Sequence, residues 1–196
     1  MNDKKQESIK RQISMKTSRI IALLCLVLCG FLPMLAQSVL GIKFGSSYDD
    51  VKEMLERRFG LYSVREKNGN LSMYDCQIGD VKFQFAEFYF QYAGNRSYFN
   101  SASFSIPFEL SMSKKAQSHR DYLYSLLKSK YEDDYLEEYV NEDGYKCYKF
   151  GINPIDSSKV LGLITLMKGE SKDGKMRLFL DLDYLPIYFV DKAADF

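Results

Sequence analysis

Tryptophan is absent from the 196 residues, and histidine occurs once, as His119. A Ser-His-Asp or Cys-His mechanism therefore has one candidate base. No G-x-S-x-G or H-x-x-x-H pattern accompanies it, so it reads as a partly exposed helix residue at the edge of an apolar stripe. Zinc takes four nitrogen or sulfur ligands, or three and a water. Past the N-terminal segment only His119, Cys76 and Cys147 could serve, and they lie far apart in the chain. Gly41, Gly45 and Gly60 are too scattered for a phosphate-cradling loop. Past the N-terminal segment there is no block of clustered Lys and Arg, which argues against nucleic acid as a partner. No catalytic residue, cofactor or metal site is assigned on this reading.

Acidic residues gather without forming a calcium loop. Glu132, Asp133, Asp134, Glu137 and Glu138 make one patch, and Asp181 and Asp183 share one side of a strand. Both sets read as solvated faces. Asp181 and Asp183 are spaced compatibly with a glycosidase carboxylate pair, but so are any two acids at alternate strand positions.

The N-terminus carries the one long uncharged run, the seventeen residues 20–36. Lys4, Lys5, Lys10, Arg11, Lys16 and Arg19 precede it, against Asp3 and Glu7 only. A positive start, a short apolar core and the small residues Ala36 and Ser38 make residues 1–38 a signal peptide, cut near Ala36 or Ser38. The run is short for a membrane anchor and is broken by Gly30 and Pro33. Leu24 and Leu28 stand before Cys25 and Cys29, where a lipoprotein signal has a small residue. Met15 begins a compact version of the same signal and is the expected translation start. The expected location is periplasmic or secreted, with membrane contact only through export or envelope association.

Removing residues 1–38 takes six of 27 basic and two of 26 acidic residues, so 21 and 24 remain. Residues 39–190 suffice for one domain with its own core, and 191–196 form a tail. Of four cysteines two remain. Cys76 and Cys147 are either a disulfide, which an exported compartment permits, or two buried thiols.

Two helices and about six strands are predicted. Ser46 or Ser47 caps a helix whose stripe is Tyr48, Val51, Leu55 and Phe59, ending at Gly60. Asn68-Gly69 joins strands at 62–67 and 70–77. The strand at 81–91 changes phase between Phe85 and Phe88, which implies a bulge near Ala86-Glu87 or cover on both faces. A strand at 98–106 stops before Pro107. A second helix starts at Ser111 or Ser113, with Ala116, Leu123, Leu126, Leu127 and Tyr131 as its stripe. Strands at 135–140, 145–150, 159–168 and 175–184 follow. The fold class is α+β: helices on an antiparallel sheet, in the order helix then three or four strands, twice, with halves of about 39–110 and 111–190.

The chain is rich in aromatics: 15 tyrosines and 14 phenylalanines. Tyr89, Tyr92, Tyr98 and Phe99 crowd the turn around Gly94-Asn95-Arg96. Aromatic residues and arginine are enriched at protein interfaces. The set Tyr89, Tyr92, Arg96, Tyr98 and Phe99 is therefore a candidate partner surface, the other reading being sheet core with hydroxyls at its rim.

The opening Gly41-Ile42-Lys43-Phe44-Gly45-Ser46-Ser47-Tyr48-Asp49-Asp50-Val51, with Leu55 and Gly60, resembles the repeat unit of the beta-lactamase inhibitor protein and of the small lipoprotein of the outer-membrane assembly machinery. It covers about twenty residues and carries over no functional residue. The resemblance implies helices on a small antiparallel sheet and action by binding other proteins. The expected function is an exported, non-enzymatic protein that binds a protein partner. A small-molecule or glycan-binding module and an unrecognised hydrolase are the alternatives.

Overall fold

The computed structural model describes residues 38–131, 135–151 and 160–188. The expected signal sequence, apart from Ser38, lies outside the described residues, as do the 191–196 tail and Glu132, Asp133 and Asp134.

Helix α1 (Tyr48–Phe59) begins where the capping chemistry places it. The Ser47 hydroxyl accepts from the Asp50 N–H at 3.2 Å, and Asp49 and Asp50 stand at the positive end of the helix. Gly60 ends it at φ +104°, donating its N–H to the Glu56 carbonyl at 2.8 Å. Helix α2 (Ser113–Lys128) buries Ala116, Leu123 and Leu127, as its apolar spacing predicts. It also buries Arg120, which that spacing does not predict.

The strands are a short ribbon of β1 (Ser38–Val39) and β2 (Ile42–Lys43), then β3 (Val64–Lys67), β4 (Asn70–Ile78), β5 (Val81–Ala93), β6 (Arg96–Glu109), β7 (Leu136–Val140), β8 (Lys146–Phe150), β9 (Gly162–Glu170) and β10 (Met176–Tyr184). The last eight form one antiparallel sheet in the order β3-β4-β5-β6-β10-β9-β8-β7. The architecture is α+β, and the order helix then four strands occurs twice. The halves join through their final strands, in register from Arg177 opposite Glu109 to Tyr184 opposite Ala102.

Two expectations about strand limits are corrected. β6 does not stop before Pro107 but runs through it, with Pro107 opposite Phe179. Pairing with β5 reaches only to Phe85 opposite Ser105. Beyond that β6 is bonded on one side alone, where a residue without an N–H is tolerated. The phase change in β5 also falls earlier than Ala86-Glu87. The β4–β5 register passes over Asp75 and Gln84, and Asp75 takes φ +60°. Phe83 and Cys76 are buried on one side of that break, Ala86 and Met73 on the other. A further irregularity, at Tyr89/Phe90, leaves Asn100 of β6 as the extra residue.

One face of the sheet is apolar and carries both helices. Phe83, Phe88, Phe99, Phe104 and Phe150 are wholly buried there with Val51 and Leu55 of α1 and Leu123 of α2. Burying each such phenylalanine contributes roughly 1.5–3 kcal/mol. The edges are charged: Glu66 of β3 pairs with Lys52, while Glu137 and Glu138 of β7 pair at 2.8 Å with Lys149 and Lys146. Charged edge strands resist the addition of a further strand.

Candidate binding face

The functional candidate follows from strand alternation. On β6, Ala102 and Phe104 are buried in the core, so Ser101, Ser103 and Ser105 face the other way. On β10, Leu178, Leu180, Leu182 and Tyr184 are buried, so Asp181 and Asp183 face the same way as the serines. Register sets Ser103 opposite Asp183 and Ser105 opposite Asp181. On the next strands, Glu87 lies opposite Ser103, Tyr89 opposite Ser101, and Thr165 opposite Asp181. The join between the halves is thus apolar under the helices and lined with hydroxyls and carboxylates on the reverse.

These groups bond to one another. The Ser103 hydroxyl donates to Asp183 Oδ1 at 2.6 Å, and the Tyr89 hydroxyl to Glu87 Oε2 at 2.6 Å. Burial pushes the Asp181 carboxyl up to about 6; its hydrogen bond from Ser105 opposes the rise and the neighbouring Asp183 charge adds to it. Burial raises Asp183 as well, against the bond from Ser103. Tyr89 is held protonated by burial first and then by its bond to Glu87. Asp181 and Asp183 are therefore not the solvated face that the sequence suggests: they are part-buried and satisfied by serines.

A cleft of about 410 Å³ opens on this face, lined by Tyr89, Ser101, Ala102, Ser103, Asp183, Tyr184, Leu185 and Pro186. Its far wall is the chain after β10. Leu185 donates its N–H to the Leu161 carbonyl at 2.8 Å and Ile187 to that of Asn100 at 2.9 Å. The Asn100 bulge frees the carbonyl that anchors this wall.

The aromatic turn does not form one surface. Phe99 is wholly buried, stacked on Phe44 at 5.0 Å between ring centroids. Tyr92 is 55% exposed, and its hydroxyl donates to the Gly69 carbonyl at 2.8 Å. Tyr92 lies on the side of α1, whereas Tyr89 and Tyr98 alternate to the opposite face. Arg96 stands exposed at the turn. Of the five residues only Tyr89 lines the cleft.

The cysteines are two buried thiols, not a disulfide. Cys76 lies on β4 and Cys147 on β8, five strand positions apart in the sheet order. At roughly 4.8 Å per strand that is about 24 Å along the sheet, far beyond disulfide reach. His119 packs its ring edge-on to Phe108 at 5.7 Å, and burial, then Lys115, lower its pKa. No nucleophile bonds to it among the described residues. Among those residues, too, no group of three or more His, Cys, Asp or Glu side chains could hold a metal ion.

The sequence reading missed Glu87, Ser101, Ser103, Ser105 and Thr165. Its available signal was the period-two row Ser101-x-Ser103-x-Ser105 between buried apolar residues. Compared with family models, with curated proteins and with solved structures, the chain matches none.

Proposed function

We propose that this is an exported, non-enzymatic binding protein that engages a protein partner in the periplasm or envelope through the face of the sheet opposite its helices. The observation that carries the reading is the segregation across the β6–β10 join. The helices bury one face, while the other keeps Tyr89, Ser103 and Asp183 around an open cleft whose lining also includes the buried Ser101. The charged edges disfavour strand addition as the route to a partner. The resemblance of residues 41–60 to proteins that act by binding others supports the same class.

A second reading, a module for a small polar molecule, draws on the cleft, whose size falls among small-ligand sites. A hydrolase would need two acids in the cleft; of the pair on β10 only Asp183 lines it.

The test is capture from envelope extracts with the wild-type chain, Ser101→Arg and Tyr92→Ala. Ser101→Arg should lose the partner and Tyr92→Ala should keep it. Retention by Ser101→Arg would overturn the reading.

A further inference from the structure

Asn68 is the one asparagine of the chain that stands before a glycine. It forms the tip of the β3–β4 hairpin with Gly69, between Lys67 and Asn70, which face each other in the ladder. Asn68 and Gly69 take left-handed backbone, φ +52° and +75°, as a two-residue turn of this kind requires, and both are exposed. Asparagine is a thermolabile residue. Its side-chain carbonyl carbon can close a ring with the next backbone nitrogen, and a glycine there has no side chain to hinder the approach.

The tip is also tied down from β5. The Tyr92 hydroxyl donates to the Gly69 carbonyl at 2.8 Å. It lies so close over Gly69 that a Cβ there would meet it at 3.3 Å. Asn70, next along, accepts the Phe90 N–H on its Oδ1 at 3.3 Å. Ring closure at Asn68 needs its backbone to leave the left-handed conformation, so the step runs through a locally opened turn. Each hydrogen bond that holds the closed turn therefore slows it. Gly69 both exposes Asn68 to attack and leaves the space in which Tyr92 latches the turn.

We infer that Asn68 is a site of spontaneous covalent modification, closing on Gly69 to a succinimide at a rate set by the Tyr92 latch. The Gly69 nitrogen loses its proton to solvent base and bonds to Asn68 Cγ. The Cγ–Nδ2 bond breaks and ammonia leaves. Water then opens the imide at either carbonyl, giving aspartate or isoaspartate, with no change of oxidation state. Isoaspartate carries the main chain through Cγ and so adds a carbon to the backbone at the tip. The two-residue turn no longer fits, and β3, a four-residue edge strand bonded to β4 alone, loosens. Partner binding plays no part in this step.

The test incubates the purified full chain in mildly alkaline buffer. Peptide mapping by mass spectrometry follows the change from amide to acid at each asparagine, and isoaspartyl methyltransferase labelling measures isoaspartate. In the folded chain Asn68 should convert ahead of Asn70, Asn95, Asn100 and Asn141. Tyr92→Phe keeps the ring and removes the hydroxyl; it should speed conversion about twofold to tenfold, the effect of one lost hydrogen bond. In denaturant the two chains should convert at equal rates, because the latch is gone. Hydrogen exchange should show lost protection of the β3 amides in the isoaspartate form and none lost in Asn68→Asp, which carries the charge without the added carbon. No conversion at Asn68 in the folded chain, or another asparagine converting first, overturns the site. Equal rates for the folded wild type and Tyr92→Phe overturn the latch. Unchanged β3 protection in the isoaspartate form overturns the loosening.

Discussion

Ser103 and Asp183 face each other across the strand pair that joins the two halves, and the serine hydroxyl donates to the aspartate at 2.6 Å. Eighty positions separate them in the chain. Their bond marks the line along which a polar face is built on the back of an apolar core.

That bond has a measurable worth. Ser103→Ala leaves a part-buried carboxylate without its hydroxyl donor and should cost about 1–2 kcal/mol at pH 7. A double-mutant cycle of Ser103→Ala with Asp183→Ala should give a coupling of about 0.5–3 kcal/mol. Chemical denaturation of the four proteins measures it. Additive losses would show that the hydroxyl does not stabilise the carboxylate.

Asp181 makes stability depend on pH in a stated direction. Its folded-state value, about 6, lies above the ordinary 3.8. Between those values the folded state holds more protons than the unfolded one. Stability is therefore greatest below the lower value and falls as pH rises through about 6. Asp181→Asn should raise the denaturation midpoint at pH 8 and lose that advantage near pH 4. Midpoints of the two proteins across pH 4–8 check this. An equal difference at every pH would show that Asp181 does not titrate differently on folding.

His119 acts in an overlapping window and with the opposite slope. Burial, then Lys115, depress its pKa below 6.5. The unfolded chain takes up the proton first as pH falls, so this contribution is lost below about pH 6.5. In the Asp181→Asn background, His119→Gln should flatten the remaining decline between pH 6.5 and 5.

The cysteines give a prediction about covalent structure. Alkylation of the unfolded, unreduced chain followed by peptide mapping should find both Cys76 and Cys147 modified. In the native state both should be protected. Cys76 is buried and burial pushes its thiol up to about 11, which leaves little of the reactive thiolate. A peptide linking the two residues would contradict the strand order.

Much of the local structure was legible in the sequence because its signals are local. Ser47, Asp50 and Gly60 define α1 within fourteen residues, and Asn68-Gly69 defines the β3–β4 turn. The twice-used order of helix then strands was readable for the same reason. The join was not. Whether β10 lies beside β6 or at an edge depends on contacts between residues some eighty positions apart. Asp181 and Asp183 consequently read as solvated, since the serines that receive them belong to the other half. The aromatic turn misled in a related way. The Asn100 bulge and the two-residue alternation divide Tyr89, Tyr92, Tyr98 and Phe99 between core and two faces, a division that closeness in sequence conceals.

Photocrosslinking in cells tests whether the face opposite the helices is the binding surface. A crosslinkable residue placed singly at Tyr89 and Ser101 samples that face. The same residue at Glu53 and Lys114 samples the outer sides of α1 and α2, both exposed. One discrete crosslinked product is expected from positions 89 and 101, and none from 53 and 114. Products from the helix positions, with none from 89 and 101, would contradict it.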